Sequence, residues 1–187
     1  NMSKRRKTKR KSSVPTWYWL VPVLVVGAGL AYWVSSRTSA SRIEGVQTVR
    51  VSGGHRQGPV TYDQHPPAGG VHAGVWINCG IYDTQVETEK AVHSLEHGAA
   101  WITYQPDLAT SEVETLRTLV GNRRYVLLSP YMYVPLPKPI VAVAWGVRLE
   151  VDSASDPRLA QFLQQYANGR QAPEPGAACT GGEGNPL

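Results

Sequence analysis

The sequence predicts an α+β chain in which one N-terminal transmembrane helix is followed by a small mixed-sheet extracytoplasmic domain. Two patterns carry that reading. Seven of the first eleven residues are basic, and an uncharged apolar run then extends from Trp17 to Val34. Further on, from about Val86 to Asn168, apolar runs of strand length alternate with segments of helical period that end at glycine.

The basic arm is Lys4, Arg5, Arg6, Lys7, Lys9, Arg10 and Lys11, and the next charge is Arg37. Trp17, Tyr18 and Trp19 open the apolar run and Tyr32 and Trp33 close it, the placement expected of rings at two membrane interfaces. About 20 residues at about 1.5 Å rise cross the hydrocarbon layer of about 30 Å. Pro22 falls in the first turns, where a missing N–H costs least. The positive-inside rule then puts the arm in the cytoplasm and the rest outside, a single-pass anchor in the cell membrane. A cleavable signal peptide is the competing reading, but the run is longer than an h-region of about 7 to 15 residues. The chain thus divides into a cytoplasmic arm (1–13), a transmembrane helix (14–35), a linker (36–45) and an extracytoplasmic, periplasm-facing domain (46–187).

The net charge of +5 comes from the arm, because the remainder carries 12 basic against 14 acidic residues. A basic arm beside a membrane helix is accounted for by topology and anionic lipid, so the lipid bilayer is the expected partner and nucleic acid is not.

Within the outer domain Val46 to Val51 alternates as a strand, and the next 34 residues are irregular, rich in Gly, Pro and His. A segment that long is functional or disordered in a compact domain, and its histidines favour function. Val86 to His97 reads as a helix stopped by Gly98, and Ala99 to Tyr104 as a buried strand. A second helix covers about Ser111 to Val120, with Glu112 and Glu114 in its first turn and Gly121 at its stop. Tyr125 to Ser129 and Ile140 to Val151 read as strands, joined by an extended Pro130 to Pro139 segment with four prolines. Asp156 as N-cap and Pro157 at N1 open a last helix, Arg158 to Asn168.

That element order is shared by a thioredoxin-like core and by several other mixed α and β folds, and no C-x-x-C pair is present to do dithiol chemistry. The two cysteines, Cys79 and Cys179, lie where disulfides persist, and a bridge would tie the C-terminal tail to the histidine-rich loop. Metal ligation by Cys79 and two free thiols are the alternatives.

All five histidines, His55, His65, His72, His93 and His97, fall within 43 consecutive positions. His93 and His97 stand at i and i+4 with Glu96 between them, so both rings share one helix face. Pro66-Pro67-Ala68-Gly69-Gly70-Val71-His72, Trp76, Gly80-Ile81-Tyr82 and Val92-His93-Ser94-Leu95-Glu96-His97-Gly98 resemble the bacterial membrane-anchored family called domain of unknown function 3105. The similarity runs on through Ala144-Trp145-Gly146 and the Phe162 helix. The family usually has Thr-Ser-Gly-Pro-His after the two prolines, where this chain has Ala68-Gly69-Gly70-Val71-His72. His72, His93, Glu96 and His97 carry over by position, and the resemblance brings no established activity with it.

Three functions fit these residues. In the first, the domain is non-catalytic and binds a copper or zinc ion through His93, His97, His72 and Glu96, with His65, His55 and Met132 as further ligands. A methionine within reach of an extracytoplasmic site suits copper. In the second, the same side chains form a hydrogen-bonded cluster that fastens the loop to the helix, and the protein is an accessory or assembly subunit of a larger membrane protein complex. Tyr131, Met132 and Tyr133 in the proline-rich segment are then the docking residues. In the third, His93-Ser94-Leu95-Glu96-His97 is the H-x-x-E-H motif of a zinc hydrolase, a short pattern placed at the very end of its helix.

Overall fold

The computed structural model describes residues 43–187, so the basic arm, the expected transmembrane helix and most of the expected linker lie outside the described residues. Among the described residues no helix is long and apolar enough to cross a membrane. The elements run β1 (Gln47–Thr48), β2 (Gly80–Ile81), α1 (Thr88–Glu96), β3 (Ala100–Tyr104), α2 (Thr110–Val120), β4 (Val126–Pro130), β5 (Ile140–Ala144), β6 (Val147–Val151) and α3 (Pro157–Tyr166).

The strands form one mixed six-stranded sheet in the order β1-β6-β5-β3-β4-β2. The three strands at one side, β2, β4 and β3, are parallel, and β5, β6 and β1 then alternate in direction. Every residue of β3, β4 and β5 is buried, which is why these strands read as continuous apolar runs with no polar alternation. Successive side chains point to opposite faces. Ile102, Leu128, Ala142 and Leu149 meet α2 and α3 through Leu116, Val120, Leu159 and Phe162. Trp101, Leu127, Val141 and Val143 face the other way, onto Ala91, Val92 and Leu95 of α1 and onto the long loop.

Several local features hold this frame. The β5–β6 turn is Trp145-Gly146, with Gly146 at φ +71°, and Gly146 N–H donates to the Ala68 carbonyl at 2.7 Å, drawing the loop onto the sheet. The buried Arg148 guanidinium donates to the His65 and Pro66 carbonyls at 2.9 and 2.8 Å and to Glu150 at 2.8 Å, so its charge is fully engaged in anchoring that loop. After α1 the chain turns at Gly98, at φ +106°, where a Cβ would stand 3.2 Å from Asn168 Cα. Glycine is needed there both for the backbone angle and for the close approach.

The structure corrects some expectations. The strand from Val46 to Val51 is only two residues long, because its sole partner is the edge of β6, and Val49 N–H bonds instead to the Gly146 carbonyl of the turn. The irregular segment contains a further strand, β2, paired with β4. Ile43, within the expected linker, is buried in the α2/α3 core. Tyr131, expected to be an exposed docking residue, is 1% exposed. It continues β4, donating its N–H to the Tyr104 carbonyl at 2.9 Å, and its ring packs on Trp101. Burial pushes its hydroxyl up to about 12. Met132 and Tyr133 are exposed, at 57% and 52%.

Helix α3 gives a direct test of its cap. Asp156 Oδ1 accepts from Arg158 N–H at 2.9 Å, and the Arg158 guanidinium forks onto the same carboxylate. Asp156→Ala is expected to cost about 1 kcal/mol in urea unfolding at neutral pH. The Arg158 hydrogen bonds hold the Asp156 carboxyl below its ordinary value, so the folded state takes up this proton less readily than the unfolded chain. The stabilisation is therefore complete above the unfolded carboxylate value of about 3.9 and disappears as the pH falls through the folded value. Native and Asp156→Ala proteins are expected to differ at pH 7, and the difference is expected to shrink as the pH falls below the unfolded carboxylate value.

Candidate metal centre

The last turn of α1 supplies His93 and Glu96, with His97 as its C-cap, all on the side that faces the loop. The loop supplies His55 and His72. These two residues form a parallel bridge, in which Arg56 N–H donates to the His72 carbonyl at 2.7 Å and His72 N–H to the Gly54 carbonyl at 2.9 Å. The C-terminal tail closes the far end, since Glu174 N–H donates to the Glu96 carbonyl at 3.0 Å.

Each of the three inner rings is fixed in the same manner. His72 Nδ1 is 2.8 Å from the Gly70 carbonyl, His93 Nδ1 is 2.7 Å from the Ala73 carbonyl, and His97 Nδ1 is 2.6 Å from the Ala178 carbonyl. A carbonyl only accepts, so in all three rings Nδ1 carries the hydrogen and Nε2 of the neutral ring presents a lone pair. Those lone pairs face other acceptors. His72 Nε2 lies 3.0 Å from Glu96 Oε2, and His93 Nε2 lies 3.0 Å from His97 Nε2. With neutral imidazoles neither contact has a hydrogen to share, so each calls for a cation in the form of a proton or a metal ion. Backbone carbonyls that fix Nδ1–H and turn Nε2 inward are the usual outer support of metal-binding histidines.

His55 completes the set, its Nε2 3.5 Å from Glu96 Oε2. One donor atom each from His55, His72, His93 and Glu96 lies within 4.8 Å of the others. Four donors arranged tetrahedrally at 2.0–2.1 Å from an ion stand about 3.3 Å apart, and the contacts at 3.0 and 3.5 Å bracket that spacing. The surroundings are dry. His72 is fully buried and His93 and His97 nearly so, with Trp76 against His97 and His93 and the edge of Trp145 against His72. Burial pushes His93 below the ordinary imidazole value, the Ala73 bond opposes this, and the neighbouring His97, His72 and His55 add to the lowering. His93 is thereby kept neutral and able to coordinate.

Of the residues expected to form the site, the structure gathers His72, His93 and Glu96. His97 is beside His93 but outside the four-residue group, held by Ala178 and 3.8 Å from Glu174. His55, expected only as a further ligand, is a full member. His65 is elsewhere, with Nδ1 2.8 Å from the Tyr131 hydroxyl, and Met132 lines a separate groove with Gln105, Pro106 and Asp107. The methionine argument for copper therefore falls away. Cys79 and Cys179 form a disulfide pair with Cα atoms 5.3 Å apart, which removes Cys79 as a ligand and fastens the tail that carries the Ala178 carbonyl. Sequence reasoning missed the three carbonyls of Gly70, Ala73 and Ala178, which as backbone groups leave no residue-type signal.

The orientation of the rings is measurable without any metal. Long-range ¹H–¹⁵N correlation at pH 8 is expected to show His72, His93 and His97 all with hydrogen on Nδ1. A hydrogen on Nε2 of His72 or His93 in the neutral ring would contradict the arrangement.

No curated protein and no solved structure matches the chain. The family described as Protein of unknown function (DUF3105) matches residues 55–181, which is more than half of the chain and contains every residue of the histidine and glutamate cluster. The chain belongs to that family.

Proposed function

We propose that this domain binds one divalent transition-metal ion, zinc or copper, through His72, His93, Glu96 and His55, and does so without catalysing a reaction. The observation that carries the reading is the set of Nε2 lone pairs held against other acceptors by backbone carbonyls. A three-nitrogen, one-oxygen donor set with both cysteine sulfurs tied in a disulfide suits Zn²⁺ or Cu²⁺ better than a soft monovalent ion. Glu96 lies against His72 and His55, the position of a ligand and not of a base beside a zinc held by His93 and His97, so the hydrolase reading has little support.

The topology supports a thioredoxin-like layout, with β2-α1-β3-α2-β4-β5-β6-α3 in order, β2, β4 and β3 parallel, β5 antiparallel to β3 and β6 antiparallel to β5. We place the domain outside the cytoplasm of a bacterial cell, on a single-pass anchor at 14–35, a reading that rests on the charge and aromatic pattern of the sequence and is in keeping with the disulfide pair. A role as accessory subunit of a membrane complex is the second reading. The exposed Met132, Tyr133 and Val134, which border one groove, favour it, and it is compatible with a bound ion.

Elemental analysis of the purified full chain is expected to find about one equivalent of zinc or copper, retained through dialysis. His72→Ala and His93→Ala are expected to lose it while circular dichroism still shows folded protein. Folded native protein without metal would leave the cluster a hydrogen-bonded fastening and favour the accessory reading.

A further inference from the structure

The four ligands of the centre are not equivalent. His72 and His93 are buried, each held at Nδ1 by a carbonyl, and Glu96 keeps only 12% of its side chain exposed. His55 keeps 57%. Its ring stands at the solvent edge of the group, stacked on His93 with centroids 4.9 Å apart and edge-on to His72 at 4.8 Å. Among the described residues no hydrogen bond fixes either of its ring nitrogens, and Glu96 Oε2 lies 3.5 Å from its Nε2. The backbone beneath it is secured by the two hydrogen bonds across the His55–His72 bridge, so the side chain turns about a fixed point. The chain before it is Gly53-Gly54, and a Cβ at Gly54 would meet nothing within 4 Å, whereas one at Gly53 would stand 3.5 Å from Glu96 Oε1.

The spacing of the donors adds a second observation. The group spans up to 4.8 Å, whereas donors on one tetrahedral ion stand about 3.3 Å apart, so closing on an ion requires at least one ligand to move inward. The buried rings are pinned by their carbonyls. His55 and Glu96 are not pinned in that way, and His55 is the more exposed of the two.

We propose that His55 is the exchange ligand of the centre, the one through which a divalent ion enters and leaves, and that the site therefore passes its ion to and from another chelating molecule. The inference rests on the metal-binding reading above. In exchange, an incoming nitrogen, oxygen or sulfur donor forms a bond to the ion as the bond to His55 Nε2 breaks. The imidazole swings toward water with its lone pair, and no electron is transferred. His72, His93 and Glu96 hold the ion until the donor takes it. The site thus has three holding ligands and one replaceable one.

The test loads the full chain with Zn²⁺ and follows transfer to excess EDTA by stopped flow, for native protein, His55→Ala and His93→Ala. Native protein is expected to bind one equivalent. His55→Ala is expected to bind one equivalent as well, with zinc affinity about tenfold weaker, and to transfer it about tenfold faster, because water already holds the fourth position. His93→Ala is expected to hold no stoichiometric zinc. If His55→Ala loses zinc as completely as His93→Ala, His55 is a holding ligand and the proposal fails. If its affinity and transfer rate equal the native values, His55 lies outside the coordination sphere and the proposal fails while the metal site stands. Native protein that binds no zinc and no Cu²⁺ overturns the metal reading and this proposal together.

Discussion

Three backbone carbonyls, those of Gly70, Ala73 and Ala178, determine what the histidine cluster is able to do. Each accepts the Nδ1 hydrogen of one ring, and the rings then have no choice but to present Nε2 to one another and to Glu96. A histidine pair built for structural hydrogen bonding would place a hydrogen opposite a lone pair. With neutral rings, His93 and His97 meet lone pair to lone pair at 3.0 Å and His72 meets the Glu96 carboxylate at 3.0 Å with no hydrogen to share, so each contact calls for a proton or a metal ion. Buried polar groups are ordinarily satisfied, and an arrangement that lacks a positive charge at its centre is satisfied by supplying one.

The rest of the domain serves to keep those carbonyls in place. They come from two segments with little regular structure of their own. Gly70 and Ala73 lie in the loop that Arg148 and the Trp145-Gly146 turn fasten to the sheet. Ala178 lies in the tail, fixed by the Cys79–Cys179 pair, by Asn78 bonding to Gly182 and Gly184, and by Lys90 bridging to Glu183. The sheet and α1 are rigid by burial. The loop and tail are rigid by discrete fasteners, several of them adjoining the site.

Much of the frame was legible because it follows from burial. The apolar runs of β3, β4 and β5 and the caps at Gly98, Gly121 and Asp156 define their elements locally. The losses came where structure depends on pairing at a distance. Two residues of β2 carry no periodicity, and they become a strand only because β4 lies alongside. Tyr131 looked exposed because prolines follow it, whereas the strand before it carries its ring into the core. In the site, the i and i+3 spacing of His93 and Glu96 was legible from the helix alone. The exchange of His97 for His55 was not, because it turns on which way each ring is held, and backbone carbonyls in a loop and a tail decide that.

The central claim is that an ion sits among imidazole nitrogens and one carboxylate, without sulfur. Metal-edge X-ray absorption on the loaded full chain tests this most directly. A shell of nitrogen and oxygen at about 2.0–2.1 Å, with the outer-shell scattering of about three imidazoles, is the expected result. A sulfur shell at about 2.3 Å, or an oxygen shell with no imidazole scattering, would contradict it.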